Sequence, residues 1–541
     1  MTRHNTVTKL STVDWLGQPD VIAPNSITET MDTEVAIIGA GVGGLFTACS
    51  AAESGVKVVV IESQEHFEAH GFQYGAVNSR LFTDHGIVVD PTEVLHEWIR
   101  QNGGAINVDL VRNIVYHCGE VLDWWREIWT QEVKDACVML YTPLPAHYDP
   151  ARENFRAFPG AITFDDGMVY WRKAVGLIEQ KCKELGVVFR YKVLGKQVIM
   201  TDGRATGVIG EKVGGSYLKI NASKGVVVAT GEMTGNAAMN TVFCPAGVVL
   251  NAKMGRPYTD ARKPGDNWSM GRRTMGDGHK MVCWVGGQMV PDFGSSAGAE
   301  DSLGATATLH VNALGKRFNN EDIPVFQRGV LVAQQPDAIY WAIYDANWRA
   351  TLPYQSIGHR SLDDNPYPPL ATGELRGSAF LDDATAKFLS IVDKPEGINF
   401  PRFWPKKIFG ASSLETLADF MGFDVEAKAN FLATVTRYNE LCRGGKDMDF
   451  SKDPAKMFEI KTAPFFASMG RAQYAPLSGI MTDGDSRIIN AATGKPIPGL
   501  WAIGAIQGGR WTSGARTTVS ALQHPAVITA GYLAGKLIAK M

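Results

Sequence analysis

The sequence predicts an α/β fold built around a Rossmann-like unit, and three observations carry that prediction. Glu34-Val35-Ala36-Ile37-Ile38 is a short apolar, partly β-branched run, the pattern of a buried parallel strand. It runs directly into Gly39-Ala40-Gly41-Val42-Gly43-Gly44, a G-x-G-x-x-G turn. Leu45 to Ser54 then reads as a helix with small residues on one face, Gly55 stops it, and a second apolar strand, Val56 to Ile61, ends on Glu62.

Each part of this unit has a physical task. Gly39 permits the tight turn, Gly41 lets the backbone approach a pyrophosphate, and Gly44 allows helix and strand to pack closely, with Gly43 in the same turn. The helix N-terminus offers free N–H groups and a partial positive charge to phosphates. Glu62, at the tip of the second strand, can accept both hydroxyl protons of an adenosine ribose and would repel a 2′-phosphate. Together these parts specify a dinucleotide site. They do not decide between FAD and NAD.

Bulk properties bound the rest. A chain of 541 residues suggests two to four domains. Its formal net charge of -3 gives no electrostatic footprint for nucleic acid or an anionic membrane. The seven cysteines are dispersed and form no C-x-x-C, so zinc ribbons, iron–sulfur ligation and c-type haem lack support. Dispersed thiols and an N-terminus without an apolar signal core lead to the expectation of a cytoplasmic protein without a membrane span. No metal site is expected. His66 and His70 are four apart but lack a third ligand.

The C-terminus points to FAD. Pro498-Gly499-Leu500-Trp501-Ala502-Ile503-Gly504 precedes Gly508-Gly509, then Gly514-Ala515-Arg516-Thr517-Thr518-Val519-Ser520-Ala521-Leu522 and an apolar helix to Ala539. This resembles the closing "GLYAAGE…GG…R-L-G-G-N-A-L" stretch of the fumarate reductase/succinate dehydrogenase flavoprotein family. Other stretches resemble the family in order. These are Val121-Leu122-Asp123-Trp124 within a helix from Asn107 to Ile128, the helix Gly167 to Gly186, the hairpin Gly203 to Val208, and "GVVVATG" at Gly225 to Gly231. Gly276-Asp277-Gly278-His279 and Gly315-Lys316-Arg317-Phe318 with Asn320-Glu321 complete the series. Glu232 stands where the family has the last glycine of "ATGG".

The resemblance implies a GR2-type FAD-binding domain split in sequence. Residues 32–293 and 477–541 form its two parts, after an N-terminal extension of residues 1–31. Residues 294–476 form an inserted α+β cap that closes over substrate. Besides the glycine turn and Glu62 with its neighbour Ser63, it implies FAD contacts from Ala229, Thr230, Gly231 and Asp277, and from Gly504, Ser520, Ala521 and Leu522. The final helix N-terminus would stabilise negative charge on reduced flavin. The implied activity is hydride transfer from flavin to an activated C=C bond, with a protein proton donor.

The catalytic pattern is where the match thins. Arg516 falls on the family's substrate arginine, but an insertion after Gly508-Gly509 leaves Arg510 as a competitor. Arg328 sits roughly where the proton-donating arginine is expected, without the usual "TTRDK" context, so a solvated arginine is an equal reading. The carboxylate-gripping "HPT" is absent, and Tyr474 replaces a substrate-holding histidine. Tyr474 is thus either a substrate contact or a core tyrosine. Loss of two charge-assisted bonds worth ~1.5–3 kcal/mol each argues against fumarate or succinate. The expected partners are a small unsaturated, non-dicarboxylate substrate and an external electron donor: reduced flavin, NAD(P)H or a redox protein. A ketosteroid dehydrogenase-like oxidation and a flavoprotein electron carrier are the alternatives. His70 is a weaker candidate for covalent FAD attachment, and Trp124, Trp125 and Trp129 read as core.

Overall fold

The structure is a computed structural model. It describes residues 13–140, 158–164, 167–253, 274–291, 295–300, 308–323, 325–351, 354, 376–400, 406–512, 518–519 and 522–541.

The largest sheet has eight strands. Its main path runs Arg487–Ile489, Pro496–Ala502, Tyr217–Val228, Ile27–Ile38, Val58–Glu62 and Val188–Tyr191. The four central pairings are parallel, and Arg487–Ile489 joins antiparallel at one edge. Val193–Thr201 and Arg204–Lys212 extend Tyr217–Val228 as an antiparallel meander. Its Asp202-Gly203 turn has φ +49° and +76°, the left-handed pair that matches strand twist in a tight hairpin.

The first strand starts at Ile27, inside the segment 1–31 expected to be an extension. Its leading half alternates between exposed and half-buried positions, so it lacks the continuous apolar run that marks Val35 to Ile38. Backbone pairing with Tyr217–Val228 continues through it nonetheless. Trp15, upstream, packs edge-on against Phe243 at 4.9 Å, and Asp20 pairs with Lys196 at 2.7 Å.

Helices Val42–Glu53, Val108–Ile128, Gly167–Glu184 and Gln523–Ala539 belong to the layer on one face of this sheet. The core there joins Val35, Ile37, Val58 and Val60 to Phe46, Trp125, Trp171 and Ile528. The other face buries Ala36, Ile38, Val59 and Ile61 against the meander and Met281. Trp125 contacts Phe46, Trp129 and Trp171 at 5.2–5.4 Å, so the tryptophan cluster is core.

A second, antiparallel sheet has the order Leu309–Val311, Ile339–Tyr344, Phe465–Pro476, Lys406–Ala411, Ile398–Phe400, with Ser295–Glu300 also on Phe465–Pro476. Apolar clusters cover both its faces. Beneath it lies a buried ionic network. Arg317 donates to Glu321 and Asp447 at 2.7 Å, and Lys452 lies 3.4 Å from Glu321. Among the described residues no helix is long and apolar enough to cross a membrane. The Asp/Pro-dense stretch 363–369 lies outside the described residues.

Candidate active site

The glycine turn is built by close approach. Gly39 has φ +107°, and a Cβ there would sit 2.5 Å from Ala229 O. A Cβ on Gly44 would sit 2.0 Å from Gly39 O, so helix Val42–Glu53 can dock only with glycine at that position. At Gly41 nothing lies within 4 Å of a would-be Cβ, and its position borders a cleft. Gly41 is the N-cap of the helix and makes no side-chain cap bond, which leaves the first N–H groups for a ligand. Glu62 is buried. It accepts from Ala40 N–H at 2.8 Å, Ser63 Oγ at 3.0 Å and Gln64 N–H at 2.9 Å, tying the second strand to the turn.

The cleft runs on from Gly41 and Gly43 past Ala229, Gly231 and Glu232 to Leu477, Ile503, Gly504, Gln507, Arg510 and Trp511. Glu68, His70, Gln523, His524 and Val527 also line it. Three of these belong to the first turns of helix Gln523–Ala539. Leu522, its N-cap, is buried and offers no side-chain cap bond. Thr230 Oγ1 is buried without a partner among the described residues, and a Cβ on Gly278 would meet it at 2.0 Å. Asp277 opens the adjoining helix behind Gly276, which has φ +71°.

Arg510 is the most unusual group in this wall. It is 6 % exposed, and its Nη2 donates to Gly504 O at 2.9 Å and Gln507 O at 3.0 Å. Its Nε and Nη1 have no partner, and it makes no carboxylate pair, among the described residues. Burial pushes its pKa down to about 10. The guanidinium lies 5.1 Å from the Trp511 ring, which stacks on Trp98 at 5.4 Å, while Trp98 Nε1 donates to Arg510 O.

Of the residues expected from sequence, Gly41, Gly43, Ala229, Gly231 and Gly504 meet at this cleft. Arg328 does not line it. Its side chain is buried in the region of the second sheet and donates to Tyr340 Oη at 3.3 Å, Glu321 O at 3.3 Å and Ile323 O at 3.1 Å. Tyr474 lies in strand Phe465–Pro476 opposite Ala297, and only its backbone is described. Arg516, Ser520 and Ala521 lie outside the described residues. His524 and the Trp98–Trp511 stack escaped sequence reasoning. His524 follows the matched motif directly, whereas Trp98 comes from a distant helix and left no local signal.

The donor set fits FAD: open space at Gly41, free N–H groups behind it, an orphaned Thr230 hydroxyl, and a second helix N-terminus on the same cleft. Residues 34–516 match the FAD binding domain family. The chain belongs to the fumarate reductase/succinate dehydrogenase flavoprotein family. This flavoprotein is 22 % identical to the vinyl phenol reductase of Lactiplantibacillus plantarum, covering 87 % of this chain and 89 % of that one. It is 25 % identical to the digoxin reductase of Eggerthella lenta, over 90 % and 83 %. Its fold is similar to that of 3-ketosteroid-Δ4-(5α)-dehydrogenase from Rhodococcus jostii RHA1, with TM-score 0.64, 19 % identity and coverage of 96 % and 99 %. The protein is an FAD-dependent oxidoreductase acting on CH–CH bonds, with a small-molecule substrate and an electron donor.

Proposed function

We propose that this flavoprotein reduces the activated C=C bond of a substrate that is not a dicarboxylate, and that Arg510 is its charge-stabilising group. The observation that carries the reading is the buried Arg510 guanidinium. It lines the FAD cleft beside the apolar Leu477, Ile503 and Trp511, and among the described residues two of its nitrogens are unpartnered and it makes no carboxylate pair. A dicarboxylate would ask for a second clamp, and the sequence lacks "HPT" and has Tyr474 in place of the histidine. The names of the two reductases, which give vinyl phenol and digoxin as what they reduce, support a substrate that is not a dicarboxylate.

Bound FAD supplies hydride. The glycine turn, Glu62 with Ser63, and Ala229 to Gly231 with Asp277 would hold its phosphates and ribose, and Gly504 and Leu522 would border its ring system. Arg510 would meet the negative charge that develops on the acceptor, at a place where burial strengthens electrostatics. Residues 294–476 would act as the cap that excludes water. Electrons would come from reduced flavin, a nicotinamide or a redox protein, in a reducing compartment such as the cytoplasm. All seven cysteines are free thiols, in keeping with that setting.

The test is anaerobic mixing of the reduced enzyme with a panel of enones, hydroxystyrenes and fumarate, and of the oxidised enzyme with saturated steroid-like ketones. Rapid reoxidation by an enone or hydroxystyrene supports the reading. Reduction of oxidised enzyme by a saturated ketone, with no reoxidation by any alkene, would instead mark a dehydrogenase.

A further inference from the structure

We propose that Glu232 is a redox-linked proton site, whose carboxylate takes up a proton when FAD in the cleft is reduced. This rests on the FAD site and not on the identity of the substrate.

Glu232 occupies the position where the family motif has glycine, so it brings a carboxylate to a wall that otherwise has no side chain there. Its head group is fixed. It accepts from Thr234 Oγ1 at 2.6 Å, and also from Thr234 N–H and Thr274 Oγ1. These donors are neutral, and Glu232 makes no ion pair among the described residues. Glu68, which lines the same cleft, is different: Arg172, His66 and His70 stand 3.8–4.0 Å from it. The half-exposed His70 gives Glu232 only weak attraction, and Arg510 and His524 are the other titratable side chains on the cleft from the C-terminal elements. Burial raises the Glu232 pKa above the ordinary carboxyl value in spite of its three hydrogen bonds. A further negative charge in the same cleft must raise it more, because like charges disfavour the ionised form.

The balance is simple. An external donor supplies two electrons. Bound FAD would take these with one proton, which would add one negative charge to the cleft. A second proton, from solvent, bonds to a Glu232 carboxylate oxygen, turning CO2⁻ into CO2H. On reoxidation that proton returns to solvent. Reduction thus consumes two protons per electron pair wherever Glu232 is ionised in the oxidised and protonated in the reduced enzyme, and one proton at higher pH.

The experiment is a spectroelectrochemical titration of the holoenzyme from about pH 6 to 9, with dithionite as donor, alongside Glu232→Gln and His70→Asn. Wild type should show a two-proton dependence that breaks to one proton as pH rises. Glu232→Gln should show one proton throughout, and His70→Asn should keep the break. A two-proton dependence retained in Glu232→Gln, or lost in His70→Asn alone, overturns the proposal. Should Glu232→Gln fail to retain FAD, reduced-minus-oxidised infrared spectra of wild type decide. A protonated-carboxyl stretch that appears on reduction and shifts in D2O supports the proposal, and its absence across the pH range overturns it.

Discussion

An arginine buried with no carboxylate partner among the described residues costs the fold solvation, and only part of it is returned by the two carbonyls that hold Arg510 Nη2. Such a group makes sense where negative charge arrives during turnover. Arg510→Ala should slow alkene-dependent reoxidation by ~10²–10³, read by stopped-flow absorbance, with flavin content near normal. Arg510→Lys should recover part of the rate because the charge returns without the forked geometry. Glu62→Ala should lower the flavin-to-protein absorbance ratio of the purified enzyme. It removes a carboxylate that holds Ala40, Ser63 and Gln64, and with it the acceptor we propose for the ribose. At this scale the sequence was legible where spacing is local: Gly39, Gly41, Gly44 and Glu62 fall within one strand–helix–strand unit. It was ambiguous at Arg510 and Arg516, where a single insertion shifts the register. Trp98 was silent, because its packing on Trp511 joins chain segments far apart in sequence.

Between elements, the contact that places the C-terminal helix N-terminus on the cleft is the packing of Gln523–Ala539 on Val42–Glu53. Small residues allow it. A Cβ on Gly531 would sit 2.7 Å from Gly43 O, and one on Gly535 would sit 2.7 Å from Thr47 O and 2.8 Å from Ala51 N. Gly535→Ala should therefore force the helices apart and cost about 1–3 kcal/mol, seen as a lower melting temperature. Flavin retention should weaken with it, since Gln523 and His524 would be displaced from the cleft wall. The small-residue face of the first helix was visible in the sequence, but its partner was not, because periodicity reports a buried face and not what covers it. The leading half of strand Ile27–Ile38 was missed for a related reason: its stability comes from pairing with Tyr217–Val228 and not from an apolar run.

Taken whole, the molecule should be sensitive to acid, and two buried groups give the sign. His279 is fully buried with both ring nitrogens unpartnered among the described residues, and burial lowers its pKa to about 3. Between the unfolded value of ~6.5 and about 3 the unfolded chain binds the extra proton, so this contribution is present above ~6.5 and lost as pH falls. Asp447, bonded to Arg317 and to the Phe450 and Lys452 N–H groups, is held below the ordinary carboxylate range, so its contribution is lost as pH falls below about 4. Urea midpoints measured from pH 7 to 5 should fall in wild type and fall less in His279→Leu. Equal slopes in the two proteins would remove His279 from the explanation.

The most direct test of the central claim, that the cleft serves reduction of an activated C=C bond outside the dicarboxylates, is single-turnover reoxidation. The anaerobically reduced enzyme is mixed with a hydroxystyrene or enone and, separately, with fumarate at equal concentration. The account predicts rapid recovery of the oxidised flavin spectrum and a saturated product with the first, and slow recovery with fumarate. Reoxidation by fumarate as fast as by any other alkene would contradict it.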